Sequence, residues 1–135
     1  MKTRVSHIAL FIAALALAAL ACGGSFSTAN ITDARLTSDS GGAQATSVFT
    51  PDQVFYCVVT VANAPEDTTL KAIWTAVEVP GEEPNLLLDE TELTTGEDEV
   101  FTFNLSNDNL WPAGKYKVDI YLNGELERTL EFTVQ

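Results

Sequence analysis

The sequence predicts an all-β domain, an antiparallel β-sandwich of about seven short strands. Three observations lead there. β-branched and aromatic residues recur in short runs from residue 31 to the end. Within most runs apolar and polar side chains alternate, the period of a strand with one face buried. Clusters of Pro, Gly, Asn and Asp separate the runs. No segment of the domain carries a convincing helical period, and no long repeat points to a solenoid or propeller.

The elements follow in chain order. Residues 31–37 form a first strand. SDSGGAQAT (38–46) is a loop, because Gly41-Gly42 disfavours a continuous strand. VFYCVVTVAN (54–63) is the clearest strand, bounded by Pro51-Asp52 and Ala64-Pro65. Phe55, Cys57, Val59 and Val61 share its core face. TLKAIWTAVEV (69–79) turns Leu70, Ala72, Trp74 and Ala76 to one side. Residues 86–93 form a shorter strand. In residues 99–106, Phe101, Phe103 and Leu105 alternate with polar neighbours, as Tyr116, Val118, Ile120 and Leu122 do in residues 114–122. Residues 126–134 close the chain, with Leu126, Leu130, Phe132 and Val134 as core candidates.

The last hairpin tests this register. A two-residue Asn123-Gly124 turn pairs Leu122 with Glu125 and puts Glu127 and Glu131 on the core face. A three-residue loop with Gly124 as a bulge keeps the apolar pattern and pairs Ile120 with Leu126. It also sets Arg128 opposite Val118, so Arg128 is expected to snorkel at an edge or to lie beside a second bulge.

Residues 1–21 stand apart. Lys2 and Arg4 precede an apolar run from Ile8 to Ala21, 14 residues long. A bilayer span takes roughly 20, so this is the core of a signal peptide. It ends in Ala19-Leu20-Ala21, the small residues at −3 and −1 that a signal peptidase needs. Cys22 follows directly, then Gly23-Gly24-Ser25. This junction resembles a bacterial lipobox, with Ala19 and Leu20 in the reverse of the usual order. The resemblance implies that Cys22 is acylated and anchors the chain in a membrane. Gly23 lacks the inner-membrane retention aspartate, so outer-membrane residence follows in a diderm host. An ordinary secreted protein, cut at the same bond, is the alternative. Three parts result: signal peptide 1–21, flexible tether 22–30 and β-sandwich 31–135.

Charge narrows the function. The chain has 19 acids, all beyond residue 21, and seven Lys and Arg, two of which leave with the leader. The mature segment therefore carries 5 − 19 = −14. Such a surface repels nucleic acid and anionic headgroups. The sole histidine, His7, lies in the leader, which removes the commonest general base and metal ligand from the mature chain. With no G-x-S-x-G motif either, no catalysis and no cofactor are expected. Residues 72–114 hold ten acids and no Lys or Arg. Glu97-Asp98-Glu99 within them offers oxygens to calcium, yet lacks the D-x-D-x-D-G pattern and reads as a solvated face.

Leu110-Trp111-Pro112-Ala113-Gly114-Lys115-Tyr116 resembles the corner of fibronectin-III and immunoglobulin-like domains, L-x-P-x-x-x-Y. The resemblance implies that the Tyr116 hydroxyl returns to backbone upstream. Cys57 and Trp74 match the strand-B cysteine and strand-C tryptophan of immunoglobulin domains. Val118 stands where their second cysteine would be, so Cys57 is expected to be a buried free thiol. Failing acylation, a Cys22–Cys57 disulfide is the alternative. From residue 31 on, the chain also resembles single-domain bacterial surface lipoproteins with an immunoglobulin-like fold. Phe49 to Asp52, Trp74, Trp111 to Tyr116 and Tyr121 to Val134 carry that resemblance. It implies fold and location only. The expected role is adhesive or structural, with an envelope or extracellular protein as partner. The alternative is a carbohydrate- or small-ligand-binding module using a partly exposed Trp111 as its contact residue. A third reading, an assembly subunit acting by strand addition, needs an exposed hydrophobic edge, and the acidic flanks argue against it.

Overall fold

The computed structural model describes residues 28–135, so the signal peptide and Cys22 lie outside the described residues. Eight strands are present: β1 (Asn30–Thr37), β2 (Val48–Phe49), β3 (Phe55–Ala62), β4 (Thr68–Glu78), β5 (Leu86–Thr95), β6 (Glu99–Leu105), β7 (Gly114–Leu122) and β8 (Glu125–Val134). They form two sheets, β1-β3-β6 and β2-β8-β7-β4-β5. All pairs are antiparallel except β2 with β8. The alternating face of each strand explains the layering. Phe55, Cys57, Val59 and Val61 from one sheet meet Leu70, Ala72, Trp74, Val118 and Ile120 from the other in one core, all but fully buried. Trp74 is 1% exposed.

β2 has no counterpart among the expected strands. It is two residues long, too short to show a period, and its order comes from β8. The amide of Thr133 donates to the Ser47 carbonyl at 2.9 Å, and that of Gln135 to the Phe49 carbonyl at 3.0 Å. This carries the chain from one sheet to the other and buries Phe49 completely. The fold also claims the last residues assigned to the tether. β1 begins at Asn30, and the Thr28 hydroxyl donates to the Asn63 carbonyl at 2.9 Å.

The β7–β8 hairpin corrects the expected register. Asn123 and Gly124 both have positive φ, 51° and 82°. That is the two-residue turn, which matches the right-handed twist of the strands. Leu122 therefore pairs with Glu125, and Leu126 is 54% exposed rather than in the core. A register shift between Ile120 and Tyr121 then inserts Glu127 as an extra residue. Its effect is to restore the pattern: Arg128 faces Ile120, Val118 faces Leu130, and Tyr116 faces Phe132. Arg128 reaches out to the other sheet, where its guanidinium donates to the Ile31 carbonyl at 3.1 Å.

Val58 points away from the core yet is 3% exposed. The 38–45 loop folds over it. Gly42 lies against Val58, and its carbonyl accepts from Arg35 Nε at 3.1 Å. The Asp39 carboxylate holds the loop by accepting from the amides of Gln44 and Ala43, which keep it below the usual carboxylate range.

Candidate functional site

Phe55 opens β3 and is the hub of an aromatic cluster at one pole of the sandwich. Its ring lies 4.5 Å from Trp111, 4.7 Å from Phe132, 4.9 Å from Phe49, 5.7 Å from Tyr116 and 6.2 Å from Trp74. The 111–116 corner builds this pole. The Tyr116 hydroxyl donates to the Pro112 carbonyl at 2.6 Å, the tyrosine corner that the motif implied. Gly114 is needed there, since a Cβ would lie 2.7 Å from the Glu78 carbonyl oxygen. Trp111 is pinned twice: its amide donates to the Pro51 carbonyl at 2.8 Å, and Nε1 donates to the Gln53 carbonyl at 3.1 Å.

These bonds correct the expected exposure of Trp111. The residue is 8% exposed, and its ring is stacked on Phe55. The sequence showed that an aromatic flanks the corner, but not that Phe55 and two backbone carbonyls from the preceding turn would capture it. Tyr116→Phe removes the corner bond and leaves a carbonyl without that donor. It is expected to lower stability by about 1–2 kcal/mol, measured by urea unfolding.

A cleft of about 340 Å³ opens beside the corner, within the ~300–1,000 Å³ usual for ligand pockets. Leu86 and Leu88 of β5 form one wall, and Leu105 of β6 the other. Trp111, Pro112 and Tyr116 form the floor, with Glu82, Ser106 and Asn107 as its polar groups. Topology makes the opening. β5 ends one sheet and β6 ends the other, and among the described residues no strand bridges them. A bulge in β5 shapes the wall. Trp74 pairs with Asp89 and Thr75 with Leu87, so Leu88 is the extra residue and lines the cleft along with Leu86. Burial, and then the charge of Glu82, push the Tyr116 phenol above its ordinary value. No sequence period marks this cleft, because it is a gap between strands distant in the chain.

The remaining candidates are placed as follows. Cys57 is a free, fully buried thiol, pushed up to about 12 by burial, which leaves it protonated and unreactive at neutral pH. Asp98, in the acidic turn, accepts from the Ala64 amide at 3.1 Å and so ties the β5–β6 connection to the end of β3. Of the ten acids in residues 72–114, Glu78 and Glu90 have cationic partners among the described residues, Lys115 at 3.7 Å and Lys71 at 3.5 Å.

No protein-family model and no curated protein matches the chain. Solved structures do. An immunoglobulin-like protein from Pseudomonas aeruginosa is 14% identical, with a TM-score of 0.54, over 83% of this chain and 100% of that one. The fold is immunoglobulin-like. An alkylpurine DNA glycosylase from Pseudomonas fluorescens, solved with DNA, is 15% identical with a TM-score of 0.54 over 81% of this chain. A β-glucosidase from Listeria innocua is 15% identical with a TM-score of 0.53 over 83%. The chain spans only 31% of the glycosylase and 17% of the glucosidase. At such identities the likeness extends to the fold alone.

Proposed function

We propose that the chain is a lipid-anchored, non-catalytic immunoglobulin-like domain that binds a protein partner on the extracytoplasmic side of a cell envelope. The observation that carries this reading is the polarity of the sandwich. Asn30 pairs with Ala62 at one end of β3, whereas Phe55, Leu105 and the cleft lie at the other. The eight residues of β3 separate the two poles by roughly 25 Å. An acyl group on Cys22 would therefore hold the domain with the cleft turned away from the membrane. The absence of histidine from the mature segment and the masked Cys57 thiol support a non-catalytic role. The net charge of −14, 5 − 19, argues against nucleic acid as partner.

A carbohydrate- or small-ligand-binding role is the second reading, favoured by the cleft itself. The stacking of Trp111 on Phe55 weakens it, because that face is not free to lie on a sugar ring. Glycan binding lost in Trp111→Ala, with the fold retained, would favour it over a protein partner.

Mass spectrometry of the mature N-terminus tests the anchor. The expected product begins at an acylated Cys22, and Cys22→Ala shifts the protein from the membrane to the soluble fraction. An unmodified amine on Cys22 would overturn the address.

A further inference from the structure

The free edge of β5 runs away from the cleft, and its two faces differ in chemistry. Glu90 and Glu92 lie two residues apart, opposite Ile73 and Lys71, on the face turned from the core. Leu86, Leu88 and Leu93 pack against the core on the other face. Across the gap, Phe101 and Leu105 of β6 are likewise only partly buried. A half-covered apolar seam thus lies beside a strand edge that, among the described residues, no other strand pairs, and acids rim it.

We propose that this edge and the cleft at its start receive an extended, basic segment of a partner protein as an added strand. The inference rests on the protein-partner reading above and names the chemistry of that partner. Charge selects the occupant. A second copy of β5 would bring Asp89, Glu90 and Glu92 close to their own like, which disfavours self-pairing. A strand with Lys or Arg at every second residue sets cations against Glu90 and Glu92. Its alternate apolar side chains then face the Leu88–Leu105 seam, and one enters the cleft over Trp111. Main-chain bonds to β5 supply affinity, and the alternation supplies specificity. Glu90 already has Lys71 at 3.5 Å, so an added cation shares that carboxylate, whereas Glu92 has no ion pair among the described residues.

The test is fluorescence anisotropy of a labelled alternating Val-Lys octapeptide with the full-length protein. Binding is expected, and Glu90→Lys/Glu92→Lys is expected to weaken it about tenfold or more. Glu125→Lys/Glu127→Lys on β8 alters net charge equally and is expected to leave affinity within about twofold. The same peptide, N-methylated at every residue, keeps its side-chain charge but has no N–H to donate along either edge, and is expected to lose binding. No binding, equal binding of the methylated peptide, or equal weakening by the β8 variant would each overturn the proposal. If the peptide fails while a photo-crosslinker at Leu126 captures an envelope protein, the strand-addition site falls and the partner-binding reading stands.

Discussion

Phe55→Ala is expected to destabilise the domain by about 4 kcal/mol, within the ~3–5 kcal/mol typical of a buried Phe cut to Ala. The ring is fully buried and within 6.2 Å, centroid to centroid, of five other aromatic rings. Its loss therefore adds a cavity to the lost transfer energy. It also removes the support of Trp111, which forms the cleft floor. Chemical denaturation measures the first effect. A red shift of tryptophan emission in the still-folded variant reads the second, because Trp111, beside the cleft, gains water.

Alkaline pH is expected to produce the second large effect, through Cys57. Its thiol is pushed up to about 12 from an ordinary 9.0 by desolvation. Above pH 9 the unfolded chain loses this proton while the native chain keeps it. The unfolded state then binds fewer protons, so stability falls as pH rises. The stabilising contribution is whole below pH 9 and is lost as pH climbs to about 12. The slope approaches about 1.4 kcal/mol per pH unit, or about 4 kcal/mol over the interval. Tyr116, also raised, drives stability in the same direction at high pH. Cys57→Ala separates the two: its constant cavity cost leaves the slope from tyrosine and removes that from the thiol. Urea midpoints between pH 8 and 11 give the comparison.

The parts of the fold visible in the sequence are those where burial and strand period coincide. β3, β4 and β7 each lie inside a sheet, so their core faces must stay apolar at every second residue, and Phe55 to Val61, Leu70 to Ala76 and Tyr116 to Leu122 do so. Where contacts come from far along the chain, the pattern is silent or misleading. Val48-Phe49 takes its strand pairing from β8, far along the chain. Val58 is buried by a loop rather than by the core. At the β7–β8 hairpin two irregularities compensate each other. The Asn123-Gly124 turn shifts the register by one, and the extra Glu127 shifts it by one more, which returns the apolar face to the core with each pair two residues from the expected one. Alternation counts residues and cannot distinguish no shift from two. The corner was legible because Tyr116 and Pro112 are four residues apart and their bond is local. The cleft was not, because its walls, Leu86, Leu88 and Leu105, belong to different sheets.

The open β5 edge is the central claim, and amide hydrogen exchange of the full-length protein tests it most directly. Amides of β5 that bond to β4 are expected to exchange slowly, and those alternating with them, which face the gap, at rates close to those of free peptide. Adding the Val-Lys peptide is expected to slow the second set alone. Uniform protection along Leu86–Thr95 in the isolated protein would contradict the account, because it would mean that the edge is already covered.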